Sequence, residues 1–143
     1  MQNLLKYKKE IINALNWYEK NKGSSNVIKE NSSLIINAQD NILGTIAGTL
    51  ASILSKSGSF EDGTLIMSMA YIDKNIKASL RVCGKDSEVD LREIVKEIVE
   101  KTGGEAGGHY GAAGAMVPIE NEKEFIQIAK DVLGKISMEE TIL

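Results

Sequence analysis

Residues 103–114, Gly-Gly-Glu-Ala-Gly-Gly-His-Tyr-Gly-Ala-Ala-Gly, constrain the fold of this chain more than any other stretch. They hold six of the 13 glycines and the only histidine, and they directly follow a strong helical pattern. Glycine lacks a Cβ, so such a run can take positive φ and turn several backbone N–H groups toward one point. A concave set of N–H groups is a nest for an anion, most often phosphate. His109 adds a side-chain donor that is charged or neutral near pH 7. The expectation is therefore a binding loop; the alternative is a flexible linker, which has no use for a histidine.

Familiar nucleotide loops do not fit. A Walker loop ends in Gly-Lys followed by Ser or Thr, and no Lys-Ser or Lys-Thr follows these glycines. The dinucleotide fingerprint sets its glycines at a strand-to-helix turn. Here they follow a helix and precede the apolar run Ala115-Met116-Val117. Gly108-His109-Tyr110-Gly111 satisfies the GXXG of a KH clamp with only two fixed residues, and a KH loop joins two helices.

The remaining pattern alternates helices with β-rich runs. Leu4-Leu5, Ile11-Ile12, Leu15 and Tyr18 recur at helical spacing and predict an amphipathic helix over residues 2–22, ending near Gly23. Trp17, Tyr7 and Tyr18 on it read as packing residues. Val27-Ile28 and Leu34 to Ile36 read as two brief strands. A helix rich in small residues is expected from Ile42 to Ser55. Leu65 to Ile72 and Ile76 to Cys83 form a hairpin across Asp73-Lys74-Asn75. A helix from Leu91 to Lys101 takes Asp90 as its N-cap. Beyond the glycines come a strand around Ala115 to Ile119 and a helix from about Glu122 to Leu133. This order specifies an α/β fold: a mixed sheet of about five strands covered by helices, in one domain over residues 1–143.

Composition limits the function. A net charge of −3 excludes a broad basic surface for gripping duplex by counterion release, so any nucleic-acid contact must be local. The single cysteine, Cys83, leaves no internal disulfide and suits a reducing cytoplasm. No signal peptide is evident. The apolar stretch from Leu43 to Leu54 is too short and too rich in Gly and Thr to cross a bilayer.

Alternation along Ile76 to Val82 sets Lys77, Ser79 and Arg81 on one face of a strand. That face is either the solvated side of the sheet or the wall that meets the glycine loop. In the second case the Arg81 guanidinium takes a phosphate bidentately, and the Ser79 hydroxyl donates one further bond. Gly44 and Gly48, four apart, share one helix face. They either let the helix approach the sheet closely or set Thr45 and a helix N-terminus beside an anion. For His109 three roles are open: general base, metal ligand with Cys83, or a contact to phosphate or sugar. The last needs no further partner. Tyr110 can stack a base or be simply a loop aromatic.

The segment Gly-Gly-His-Tyr-Gly-Ala-Ala-Gly-Ala, with Lys77-Ala78-Ser79-Leu80-Arg81 upstream, resembles the C-terminal associated domain of DHH-family phosphoesterases. RecJ-like single-strand exonucleases and related oligoribonucleases are the nearest in pattern. Their loop reads GGGHxxAAG, and their preceding strand carries a Ser-x-Arg pair. Here Arg81 is followed by a short polar turn and then by the helix that starts at Val89-Asp90-Leu91. The resemblance covers about Leu34 to Leu133, leaving residues 1–22 as a connecting helix. It implies that Arg81, His109, Gly107 and Gly108, with Ser79 and Gly111 second to them, hold the phosphate and end of a short single strand of DNA or RNA, or of a dinucleotide. Lys77 lies outside the matched pattern.

The family's catalytic domain binds metal through Asp and His motifs, including the Asp-His-His of its name. With one His and no Asp-His pair, this chain lacks that set. A two-metal site needs several convergent carboxylates or imidazoles, and Asp40, Asp62, Asp73 and Asp90 are scattered. The chain therefore reads as the substrate-binding half without the catalytic half, either a piece cut from a longer enzyme or a natural stand-alone domain. The divalent metal, Mn²⁺ or Mg²⁺, belongs to the separate DHH domain, and no cofactor is expected in this chain. Two rival readings stay open. One is a non-catalytic RNA-binding appendage, as in alanyl-tRNA synthetases. The other is a structural module that forms a homo-oligomer.

Overall fold

The computed structural model describes residues 2–84 and 89–142. Its centre is a six-stranded sheet in the order β1-β2-β3-β4-β6-β5. The strands are β1 (Val27–Glu30), β2 (Ser33–Asn37), β3 (Leu65–Ile72), β4 (Asn75–Val82), β5 (Glu105–His109) and β6 (Ala112–Pro118). β2 and β3 run parallel and every other pairing is antiparallel, so the sheet is mixed as expected. Four helices cover it: α1 (Gln2–Asn21), α2 (Ala47–Ser55, after a 3₁₀ turn at Gly44–Ile46), α3 (Leu91–Thr102) and α4 (Glu122–Ile142).

The sheet buries apolar side chains on both faces. Ile76, Ala78 and Leu80 of β4 join Ala113, Ala115 and Val117 of β6 beneath α3 and α4, with Phe125 fully enclosed. Leu34, Ile36, Ile66 and Ala70 face the other way, against α2 and the C-terminal half of α1. Two close approaches seat α2. A Cβ on Gly44 would lie 2.0 Å from Ile72 Cγ1, and one on Gly48 would lie 3.2 Å from Ser79 Oγ. Packing is thus the use of both glycines. Thr45 is exposed and lines neither of the cavities described below.

Local rules account for most element ends. The β3–β4 hairpin closes through a two-residue turn, with Ile72 opposite Asn75 and Asp73 at φ 53°; aspartate tolerates that region because its side chain bonds locally. Asp90 caps α3 by accepting the Arg92 N–H at 3.0 Å, and Gly103 ends it at φ 85°. At the start of α4, Glu122 accepts from the Tyr71 hydroxyl and from Gln39 Nε2 at 3.0 Å, which ties the helix to the ends of β2 and β3. Burial and the Glu122 carboxylate push the Tyr71 hydroxyl up to about 12.

The structure corrects three expectations. Residues 103–114 are not a loop: they form β5, a two-residue tip at Tyr110-Gly111 and the start of β6, which supplies the sixth strand. The apolar residues at the start of α1 are not core. Tyr7, read as a packing residue, is exposed, as are Leu4, Leu5 and Ile12, while Ala14 and Tyr18 are buried and Trp17 packs beside them. The last helix runs well past Leu133. The polar turn expected after Arg81 falls largely on residues 85–88, outside those described.

Candidate functional site

Alternation along three neighbouring strands builds one polar face. Ile76, Ala78 and Leu80 of β4 point into the core under α3 and α4, so Lys77, Ser79 and Arg81 point to the α2 side. β6 does the same with Ala112, Gly114 and Met116, and β5 with Glu105, Gly107 and His109. Register then sets rows across the sheet. Ser79 faces Gly114, and Gly114 faces Gly107. Lys77 faces Met116, which faces Glu105. One pair beyond Leu80 and Ala113, the same register brings Ala112 beside Arg81, with His109 on the other side of Ala112.

α2 rests on β3 and β4, and the sheet beyond it is open on this side. The result is a groove of about 360 Å³ lined by Lys77, Ser79, Arg81, Gly107, Gly114 and their neighbours. Its floor, from Ser79 through Gly114 to Gly107, is almost bare of side chains over ~10 Å, two inter-strand spacings. Gly114 has a steric reason to be glycine: a Cβ there would lie 2.8 Å from the Ala78 carbonyl oxygen and 3.5 Å from Lys77 Nζ. A Cβ on Gly107 would meet nothing within 4 Å. The space over Gly107 is groove.

Arg81 is half-buried, and desolvation alone lowers its pKa from the ordinary arginine value. Its Nη1 donates to the Leu80 carbonyl at 2.9 Å. Among the described residues no carboxylate forms an ion pair with Arg81 or Lys77. A partly desolvated guanidinium that keeps free donors attracts an anion more strongly than one in open water. Ser79 is 4% exposed beside it, and the opposite residue Ser68 buries a hydroxyl with no hydrogen-bond partner.

The sequence-derived set is only partly gathered. Arg81, Ser79, Gly107 and Gly108 line the groove together. Gly111 lines a second cavity, which shares Arg81 as its wall. His109 lines neither one: its ring folds back over the hairpin tip, where Nδ1 accepts the Gly111 N–H at 3.2 Å. That bond leaves the Nε2–H as its available donor. The N–H nest predicted at residues 103–114 is replaced by a paired hairpin, in which glycine serves positive φ at Gly108 and a bare floor at Gly107 and Gly114. Lys77, left outside the matched pattern, stands in the groove with its ammonium over Gly114. Gly114 itself had a readable signal: it and Gly107 are spaced symmetrically about Tyr110-Gly111, as facing hairpin residues must be.

Among the described residues no group of three or more His, Cys, Asp or Glu side chains could hold a metal ion. No helix among them is long and apolar enough to cross a membrane.

The DHHA1 domain family matches residues 31–135, most of the chain and the whole of the groove. The chain belongs to this family. The DHHA1 fold recurs in solved structures of low sequence identity. The C-Ala domain of alanyl-tRNA synthetase from Aquifex aeolicus is 14% identical with a TM-score of 0.58, over 75% of this chain and 96% of that one. RecJ from Thermus thermophilus, solved with Mg²⁺, is 13% identical with a TM-score of 0.59, over 90% of this chain but only 18% of its own length. The DHH domain of a member of a ribosomal-protein family is 23% identical with a TM-score of 0.53, over 90% and 30%. No curated protein sequence matches the chain. The match begins ten residues after α1 ends, so the matched unit comprises β2 to β6, α2, α3 and most of α4, and leaves out α1 and β1.

Proposed function

We propose that this DHHA1 domain holds the phosphate and the end of a short single-stranded oligonucleotide or dinucleotide for hydrolysis by a separate DHH domain. The observation that carries the reading is Arg81, a half-buried guanidinium with no carboxylate partner among the described residues, at the edge of a floor almost bare of side chains. A phosphate there takes two N–H donors from Arg81, with the Ser79 hydroxyl adjacent and the Lys77 charge over Gly114. The bare floor lets the sugar-phosphate chain lie close to the sheet, and His109 stands on β5, the same edge strand as Gly107. The carboxylate of Glu105 marks the far side of the groove and repels a longer run of phosphates. The reading therefore favours a strand end or dinucleotide over a long polyanion.

The hydrolytic chemistry lies outside this chain. RecJ, which shares the fold, was solved with Mg²⁺ and with Mn²⁺, and either ion in a DHH domain would polarise the phosphate and activate water. In this reading the enzyme is a RecJ-like phosphoesterase of the cytoplasm, α1 connects its two domains, and the isolated chain binds weakly and cleaves nothing.

Gly107→Val tests the groove. Valine suits a strand, and nothing lies within 4 Å of the added Cβ, so the melting temperature should stay within about 2 °C, the shift of a surface change under ~0.5 kcal/mol. Affinity for a 5′-phosphorylated dinucleotide, measured by amide chemical-shift titration, should fall about tenfold or more, the loss of roughly 1.4 kcal/mol. Undiminished affinity with the floor filled would move the phosphate elsewhere.

One observation favours a second reading. The C-Ala match runs nearly the full length of that domain, which belongs to a synthetase. A non-catalytic RNA-binding appendage of that kind prefers folded RNA to a strand end, so titration with an RNA hairpin separates the two.

A further inference from the structure

We propose that the cavity on the far side of Arg81 is a nucleobase subsite, with the Tyr110 ring as its stacking surface. It rests on the phosphate reading above and adds what the phosphate carries. Arg81 is the shared wall of the groove and of a second, larger cavity of about 980 Å³. A nucleotide whose phosphate sits on Arg81 has two directions in which to extend. The groove floor is bare backbone flanked by charge and offers a base no face to stack on. The second cavity offers the Tyr110 tip, Phe60 and the half-buried Val82 side chain.

Tyr110 is built as a platform. It is 70% exposed at the hairpin tip, so its ring faces are open to a partner. Its backbone is nevertheless pinned, because its carbonyl accepts the Leu91 N–H at 2.9 Å at the start of α3. The His109 ring stands edge-on to it at 5.9 Å between centroids. Beside it, among the described residues, a Cβ on Gly111 would meet only that His109 ring within 4 Å. A ring held on a pinned turn loses little freedom when a base stacks on it. Phe60 lines the same cavity, with Lys29 over its ring at 5.3 Å. Ser52, Ser55 and Asp62 supply hydroxyl and carboxylate groups for the polar edge of a base. Stacking accepts any base, since every base presents a π-face. The ligand class is therefore a nucleoside 5′-phosphate unit of either kind.

The test compares adenosine 5′-monophosphate with ribose 5-phosphate in amide titrations of the full chain, wild type and variants. Wild type should bind the nucleotide about tenfold more tightly, the contribution of one stacked base. Tyr110→Ala should remove that factor and leave ribose 5-phosphate unchanged, and Tyr110→Phe should restore it. Equal affinities in wild type, both weakened by Arg81→Ala, would overturn the subsite and leave the phosphate reading standing. Loss of ribose 5-phosphate binding in Tyr110→Ala would reduce Tyr110 to a structural part of the tip. Binding that ignores Arg81→Ala, or none at all, would remove the phosphate anchor and the subsite with it.

Discussion

Replacing Gly108 by alanine is expected to lower the melting temperature by about 10 °C, the effect of roughly 3 kcal/mol in a chain of this size. Gly108 sits at φ 106°, where a side chain is strained whatever space surrounds it. The space is also taken: a Cβ would lie 2.4 Å from the Ala112 carbonyl oxygen and 2.8 Å from Ala113 Cα. Both are backbone atoms of the strand that pairs with it, so relief requires the β5–β6 hairpin to open. Strain in that region and overpacking each contribute about 1–3 kcal/mol. Gly107→Ala one residue away is the control, with no clash and no positive φ, and it should melt within about 1 °C of wild type, as an unstrained surface change does. If thermal unfolding followed by circular dichroism gave the two variants the same midpoint, the hairpin pairing described above would be wrong.

Arg81→Ala is expected to weaken binding of a 5′-phosphorylated dinucleotide by about 30- to 150-fold, the loss of roughly 2–3 kcal/mol of charge-assisted hydrogen bonding. The fold should tolerate the change. Among the described residues this half-buried guanidinium has no carboxylate partner, so there its removal relieves a desolvation cost and breaks no ion pair. Arg81→Lys should fall between the two, because an ammonium keeps the charge and loses the planar fork. Calorimetric titration at two salt concentrations checks both points. Few phosphates are engaged, so salt should weaken wild-type binding only modestly, at a slope near −0.7 per phosphate. A loss of affinity below about threefold in Arg81→Ala, short of even one such bond, would take Arg81 out of the site.

Those two positions also mark where the sequence was legible. Arg81 and Ser79 were readable because strict alternation in an apolar strand fixes which side chains share a face, and the structure keeps that face. The β3–β4 hairpin and the Asp90 cap were readable for equally local reasons: a two-residue turn and a carboxylate before an apolar helix. The run around Gly108 was readable as glycines able to take positive φ, but not as a strand. A run with few side chains has no hydrophobic period, and glycine weakens a strand taken alone. Pairing with β6, a tertiary fact, makes it one.

Tertiary facts also explain the other differences. Leu4, Leu5 and Ile12 have helical spacing, but no other part of the described structure covers them. His109 carries the right chemistry on the right face, yet its bond to Gly111 turns the ring over the tip. Lys77 gains its place from the missing Cβ of Gly114, a contact between strands that no local pattern reveals.

The central claim is that a strand end, held by its phosphate, lies on the floor between Ser79 and Gly107. An amide chemical-shift titration with a dinucleotide, once 5′-phosphorylated and once with a free 5′-hydroxyl, tests it most directly. Saturable shifts are predicted at Ser79, Arg81, Gly107 and Gly114 with the phosphorylated ligand, largely absent with the hydroxyl form and in Arg81→Ala. Equal shifts with both ligands, or shifts confined to the exposed face of α1, would contradict it.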